Sequence, residues 1–323
     1  MNKYLVITID VEPDCSPDWK YSNPLTFNGV YEGIKSRLQP LFNKYNVTPT
    51  YLINNVVLED GASINTFKNL EGKFELGAHL HPEFIEPGKT EFDYAGKKGV
   101  ANCCFYDPKV EFEKIKSITE LFVRQFDFQP TSFRAGRFSA GSNTLKSLAK
   151  LGYKVDTSVT PNFRWDDRTR EKPVDFRGAP LQPYFANADE ITKTDDKGAI
   201  LEVPVSIVPE KMSAIDSLKY IIKNKRFPYK GSRPVWLRPK FSGNEKFRMI
   251  VEQITNDYRS SDNVVFNMMF HNVEVMPGLS PYSLNESDCE KYLASLEWFF
   301  NYCRENNIQS VNLSSMYDVF QNK

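Results

Sequence analysis

The sequence predicts an α/β protein whose parallel sheet closes, or nearly closes, into a (β/α) barrel. Two observations carry that expectation. Short apolar runs rich in Val, Ile, Phe and Tyr alternate with stretches of helical period, six to eight times in 323 residues. Such strand-then-helix repetition is the mark of a parallel sheet. Ionisable residues also collect where these runs end, and that end of the strands carries the active site in parallel α/β architectures. An open doubly wound sheet is the alternative. No G-x-G-x-x-G or Walker pattern follows the first run, so nucleotide binding loses its main support.

Residues 4–10 (YLVITID) read as the first strand, ending on Asp10. The helical GVYEGIKSRLQPLFNKYN follows, with Val30, Ile34, Leu38, Leu41 and Phe42 on one face. Strands are expected at 47–53 and 73–81 with a short helix between them, then a long loop containing NCCFYDP. The helix at 109–126 has Val110, Phe112, Ile115, Ile118, Leu121 and Phe122 as its apolar residues, and TSFRAG (131–136) is a strand. NTLKSLAKLG is a helix closed by Gly152, followed by the strand YKVDTSV. Prolines at 161, 173, 180 and 183 make 160–198 loop-like. Beyond it come a strand at 199–205, helices near 213–224 and 243–258, and the apolar run 264–272, which fits a strand buried on both faces. A helix at 284–306 and the strand IQSVNL complete the pattern. With no repeat or linker, residues 1–323 are expected to form one catalytic domain.

The chain carries 41 Lys+Arg against 41 Asp+Glu, a formal net charge of +0. Proteins that live on nucleic acid or an anionic membrane need a basic excess, so neither partner is expected. Cys15, Cys103, Cys104, Cys289 and Cys303 form an odd set without C-x-x-C spacing, which fits neither a disulfide framework nor a cysteine-rich zinc site. MNKYLVITID lacks a cleavage site, and no apolar run approaches the ~18 residues of a membrane span. The expectation is a soluble, cytoplasmic protein without a transmembrane segment.

His79, His81 and His271 are the three histidines, and all fall at strand ends, alongside Asp10, Glu12, Asp14, Arg134, Asp156 and Glu202. In AHLHPE the two histidines are two residues apart, so on an extended backbone both point to the same side and can share one metal ion. A carboxylate from the first strand would complete a set of two histidines and one carboxylate that leaves positions open for water and substrate. Crowded carboxylates need a cation or a shared proton to coexist in a partly buried site.

In this order, TIDVEPD, ELGAHLHPE, SFRAGR, DTSV and MMFHN resemble the motif regions of the polysaccharide deacetylases of carbohydrate esterase family 4, the NodB-homology group. The variant is most similar to WalW- and WbmS-like members of lipopolysaccharide and O-antigen biosynthesis. The resemblance spans residues 4 to about 313. It implies a distorted (β/α)7 barrel and a metal-dependent sugar N-deacetylase. The general base matches Asp10. The metal carboxylate, usually the next residue, finds Val11 there and moves to Glu12, as in D-x-E relatives. The metal histidines match His79 and His81 at a shorter spacing, with Asp14 or Glu83 as alternatives for one ligand. Arg134 matches the arginine that pairs with the base. His271 matches the general acid, with Met269 in place of the leucine before it. Asp156 lies in the fourth motif region and is the candidate partner that orients His271.

The implied cofactor is a divalent ion, zinc first, with cobalt or nickel as alternatives. The implied substrate is an N-acetylated sugar or a nucleotide- or lipid-linked saccharide. Trp19, Tyr106, Trp165, Trp236 and Tyr282 occur in loops suited to stacking on sugar rings, and Arg137 is a candidate for an acidic group on the substrate. A Cys15 nucleophile has no oxyanion loop to support it. A deformylase, a ureide-type hydrolase or a non-catalytic carbohydrate-binding relative are the alternatives. Oligomeric state leaves no trace in the sequence.

Overall fold

Strand β1 (Asn2–Val11) is the centre of the sheet. It pairs in parallel with β12 (Asn263–His271) along its whole length, with β13 (Ile308–Ser310) beside its first half and β2 (Thr50–Asn54) beside its second. The sheet continues through β3 (Glu75–Leu80), β4 (Ser132–Ala135), β5 (Val155–Asp156) and β9 (Leu201–Glu202), all parallel, to the short antiparallel edge β8 (Tyr184–Phe185). Among the described residues the order β12–β1–β2–β3–β4–β5–β9 is thus a run of seven parallel strands. The seam between β9 and β12 is bridged by the chain that leaves β9, where the Ser206 amide donates to the Asn267 carbonyl at 2.9 Å. The Gln182 side chain bridges it again, exchanging two hydrogen bonds with the Val265 backbone. The expected distorted seven-stranded barrel is what the chain forms.

The computed structural model describes residues 1–89, 101–165, 173–225, 227–239 and 244–321. Parts of the loops expected within 82–108 and 160–198, and residue 243 of the helix expected from there, lie outside them. The outer layer comprises α1 (Gln39–Tyr45), α2 (Asn55–Leu58), α3 (Gly61–Lys68), α4 (Pro108–Phe126), α5 (Ser142–Lys150), α6 (Ala214–Asn224), α7 (Glu245–Asp257), α8 (Glu286–Glu305) and α9 (Ser315–Gln321). α1 continues from a wide helical stretch, Gly29–Leu38. Local chemistry sets several boundaries. Asp107 caps the α4 amides with Pro108 at the first position, and Asp127 ends the helix in the left-handed region at φ 61°.

Alternation along β1 separates two cores. Leu5, Ile7, Ile9 and Val11 face the helices. Val6 faces inward, where it meets Leu52, Val155, Leu201, Val203 and Val265 in an apolar floor that Leu313 and Met316 close from below. Each such side chain contributes about 1.5–3 kcal/mol relative to exposure, which offsets the polar layer above. In that layer Asn267 donates to Thr157 Oγ1 (2.9 Å) and the Val203 carbonyl (3.0 Å), and accepts from Thr8. Asp10 and the histidines form the top.

Two details differ from expectation. The strand expected at 199–205 pairs regularly only at Leu201–Glu202, because the chain then turns across the seam. Antiparallel pairs also occur where none was expected: β6 (Arg164–Trp165) with β7 (Val174–Asp175), and β10 (Ile207–Lys211) with β11 (Ser232–Trp236). Pro209 and Pro234 face each other in the second ribbon, and prolines mask a strand signal.

Candidate functional site

Arg134 projects from β4 into the barrel and is fully buried. Its Nη1 donates to Asp10 Oδ1 at 2.5 Å, its Nη2 to Thr8 Oγ1 at 2.8 Å and Thr157 Oγ1 at 3.2 Å, and its Nε to the Thr157 carbonyl at 2.9 Å. A buried guanidinium is tolerated only with this degree of pairing. Burial alone would raise the Asp10 carboxyl, but Arg134, with His79 and His271, outweighs it and leaves the pKa below the usual value. Asp10 Oδ2 lies 3.8 Å from His79 Nε2 and 3.9 Å from His271 Nε2, beyond direct hydrogen bonding to either.

Beside it, Glu12 Oε1 lies 3.2 Å from His79 Nε2 and 3.0 Å from His81 Nε2. The candidate ligand atoms of these three residues all lie within 4.8 Å of one another. The neighbours present them in this way. His79 Nδ1 sits 3.1 Å from the Arg134 carbonyl, which can only accept, so Nδ1 is the donor there and Nε2 is the nitrogen turned to Glu12. Tyr21 donates to Glu12 Oε2 at 2.6 Å and turns Oε1 toward the rings. The Asn55 side chain accepts from the His81 amide, and Gly136 lies under the ring, where a Cβ would come within 3.0 Å of Nε2. Burial lowers the His81 pKa, but the Glu12 charge outweighs it and pushes the imidazole up to about 9. Glu12 is correspondingly held well below the carboxylate range.

The other acids near β1 and β3 have different partners. Asp14 is buried and accepts from the Asn28 and Gly29 amides, fixing the start of the first helical stretch. Glu83 Oε1 lies 3.7 Å from His81 Nδ1 and 2.5 Å from Arg137 Nη1, so Arg137 is engaged by a protein carboxylate. Lys114 ties down the intervening turn by donating to the Pro82 and Ile85 carbonyls, each at 2.7 Å. Cys15 is buried, donates to the Leu279 carbonyl and has its thiol pKa pushed up by burial, which disfavours a nucleophilic role. Cys103 is buried and Cys104 partly buried.

His271, at the end of β12, has an acidic partner that the sequence reading missed. Glu274 Oε1 lies 2.8 Å from Nδ1 and accepts the His271 amide at 2.9 Å. Arg238 pairs with the same carboxylate, and Tyr292 donates to its other oxygen at 2.8 Å. Burial raises Glu274, yet Arg238 and His271 bring it down to about 2. Its position three residues past the last strand-end histidine was a usable signal. Arg238, in a stretch expected to be loop, had none. The Trp19 ring stands 4.9 Å from the His271 ring, and Tyr282 lies against both Trp19 and Arg238. Trp165 and Trp236 pack with Phe138 and Phe163, while Tyr106 lies over Lys114.

Asp156 is not the partner of His271. In register with Phe133 and beside Val155, which faces the inner floor, it points to the outer face of the sheet. There it accepts from Ser158 at 2.7 Å and sits next to Glu202. Alternation along β5 separates it from the site.

No family model and no curated protein matches the chain. Solved structures do. A candidate polysaccharide deacetylase from Mycobacterium smegmatis is similar over 100% of this chain and 92% of its own, with a TM-score of 0.54 and 14% identity. A second, from Pseudomonas aeruginosa PAO1, is similar over 99% and 91%, with a TM-score of 0.53 and 12% identity. The fold is one these proteins share. PuuE allantoinase shares it too, over 99% of this chain and 90% of its own, with a TM-score of 0.52 and 12% identity. At such identities the likeness speaks for the fold, and the reaction has to be argued from the site.

Proposed function

We propose that residues 1–323 act as one catalytic unit that removes an acetyl group from an N-acetylated sugar, using a divalent ion held by Glu12, His79 and His81. The observation that carries this reading is the convergence of two imidazole nitrogens and one carboxylate oxygen within 4.8 Å, beside a second carboxylate, Asp10, kept ionised by a buried arginine. The donor set fits a zinc-class ion, and the His79 tautomer suits ligation through Nε2. Such an ion supplies Lewis acidity toward an amide carbonyl and toward water.

The remaining steps belong to the chain. Asp10 Oδ2, which among the described residues accepts from no side chain at hydrogen-bonding distance, takes a proton from the attacking water, while Arg134 keeps the carboxylate ionised and fixed. His271 Nε2, on the same side of the barrel, hands a proton to the departing sugar amine. Glu274 holds Nδ1 at 2.8 Å and so fixes the ring with Nε2 on the Asp10 side. Trp19 and Tyr282 flank His271 and provide faces for a sugar ring. Acetate and the free amine are the products.

The motif resemblance and the deacetylase descriptions of two fold relatives support the substrate class. By the same resemblance we place the reaction in surface polysaccharide or lipopolysaccharide assembly, in the cytoplasm, on a nucleotide- or lipid-linked saccharide. The test pairs metal analysis of the purified protein with acetate release from N-acetylated sugar nucleotides. Bound zinc, cobalt or nickel together with acetate release is the expected result. Protein that takes up none of these ions, or that cleaves formamide or ureide substrates in preference to acetamides, overturns the reading.

A further inference from the structure

Helix α6 turns an apolar stripe to the outside. Ile215, Leu218 and Ile222 recur on one face of it and are 68%, 59% and 70% exposed, and Phe227 just beyond is 82% exposed. No described residue of α6 is buried. The flanks of this stripe are basic, with Lys219, Lys223, Lys225 and Lys230 against Asp216, which Ser213 engages at the helix start. The balanced charge of the whole chain conceals this local excess.

We propose that α6 and Phe227 dock the protein on an anionic lipid surface, with the helix lying in the headgroup plane. An apolar stripe bordered by lysines matches both layers of such a surface, acyl boundary below and phosphate above. A second copy of the chain fits less well, because a two-fold contact would bring the lysine rows together. A nucleic acid would leave the stripe in water. At eleven residues the helix is too short to cross a bilayer. α6 sits between β10 and β11, and β11 leads through Leu237 to Arg238, the residue that holds Glu274 beside His271. The proposal stands whether or not the reaction is a deacetylation.

The full chain is sedimented with phosphatidylcholine vesicles, with and without phosphatidylglycerol. Binding is expected only with phosphatidylglycerol, weakening as salt is raised. It should fall at least about tenfold in the triple variant Ile215→Ser, Leu218→Ser, Ile222→Ser and in Lys219→Glu with Lys223→Glu. Circular dichroism and metal content should be unchanged in both. Equal binding to neutral vesicles, no binding to anionic ones, or unaltered binding by the triple variant overturns the proposal. So does light scattering that shows a wild-type dimer which the triple variant converts to monomer, since the stripe would then belong to a second copy.

Discussion

Two pairs of buried charged residues sit on opposite faces of the same sheet and solve burial in opposite ways. Inside the barrel Asp10 faces a guanidinium that has four protein acceptor contacts, and it stays ionised. On the outer face Asp156 and Glu202 are neighbours without a cation, and burial raises both. Asp156 Oδ2 and Glu202 Oε2 have no other hydrogen-bond partner, so a proton held between them is the arrangement that satisfies both. The first carboxylate is held ionised, as the proposed base has to be, and the second is not. A strand-end acid is therefore reactive or structural according to which face its parity selects and whether a cation shares that face.

The contrast predicts an ordered series of effects. Arg134→Met should be the most damaging substitution. It strands the Asp10 charge at a cost of about 3–5 kcal/mol in denaturant unfolding and abolishes turnover. Glu12→Gln and His79→Ala should lose bound zinc and turnover together while remaining folded, as read by metal analysis and circular dichroism. Glu274→Gln should keep its metal and lower kcat by about 10–100-fold. An unchanged kcat would remove Glu274 from the mechanism.

Asp156→Asn should have the smallest effect on activity, leaving turnover intact, and should act on stability instead. Groups whose pKa is raised on folding stabilise most below their unfolded values and lose that contribution as pH rises through the folded values. Wild-type stability should therefore decline from pH 5 toward 8, with part of the decline from Glu111, which burial raises to about 7. The side-chain amide introduced by Asp156→Asn can donate to Glu202 at any pH, so the slope of the denaturation midpoint against pH should flatten. If turnover falls instead, Asp156 takes part in the chemistry through the sheet.

The barrel was legible because strands buried on both faces are continuous apolar runs, as in VVFNMMFH, and because the helices between them repeat cleanly. The order of the site was legible too. Asp10, His79, His81, Arg134 and His271 all end or prolong parallel strands, and the alternation of the backbone brings them inward. Choosing between Glu12 and Asp14 needed coordinates, since both lie on the same side of an extended chain and only hydrogen bonds to Asn28 and Gly29 withdraw Asp14. Asp156 was misread because the parity of a two-residue strand cannot be judged without its neighbours. Arg238 was invisible because it returns to the site on a proline-bearing ribbon without strand periodicity.

The apolar floor beneath the polar layer sets a direction of access. Val6, Leu52, Val155, Leu201 and Val265, stoppered by Leu313 and Met316, close the barrel beneath the polar layer. Whatever reaches Asp10 therefore enters and leaves on the side opposite that floor, where His271 and Trp19 stand.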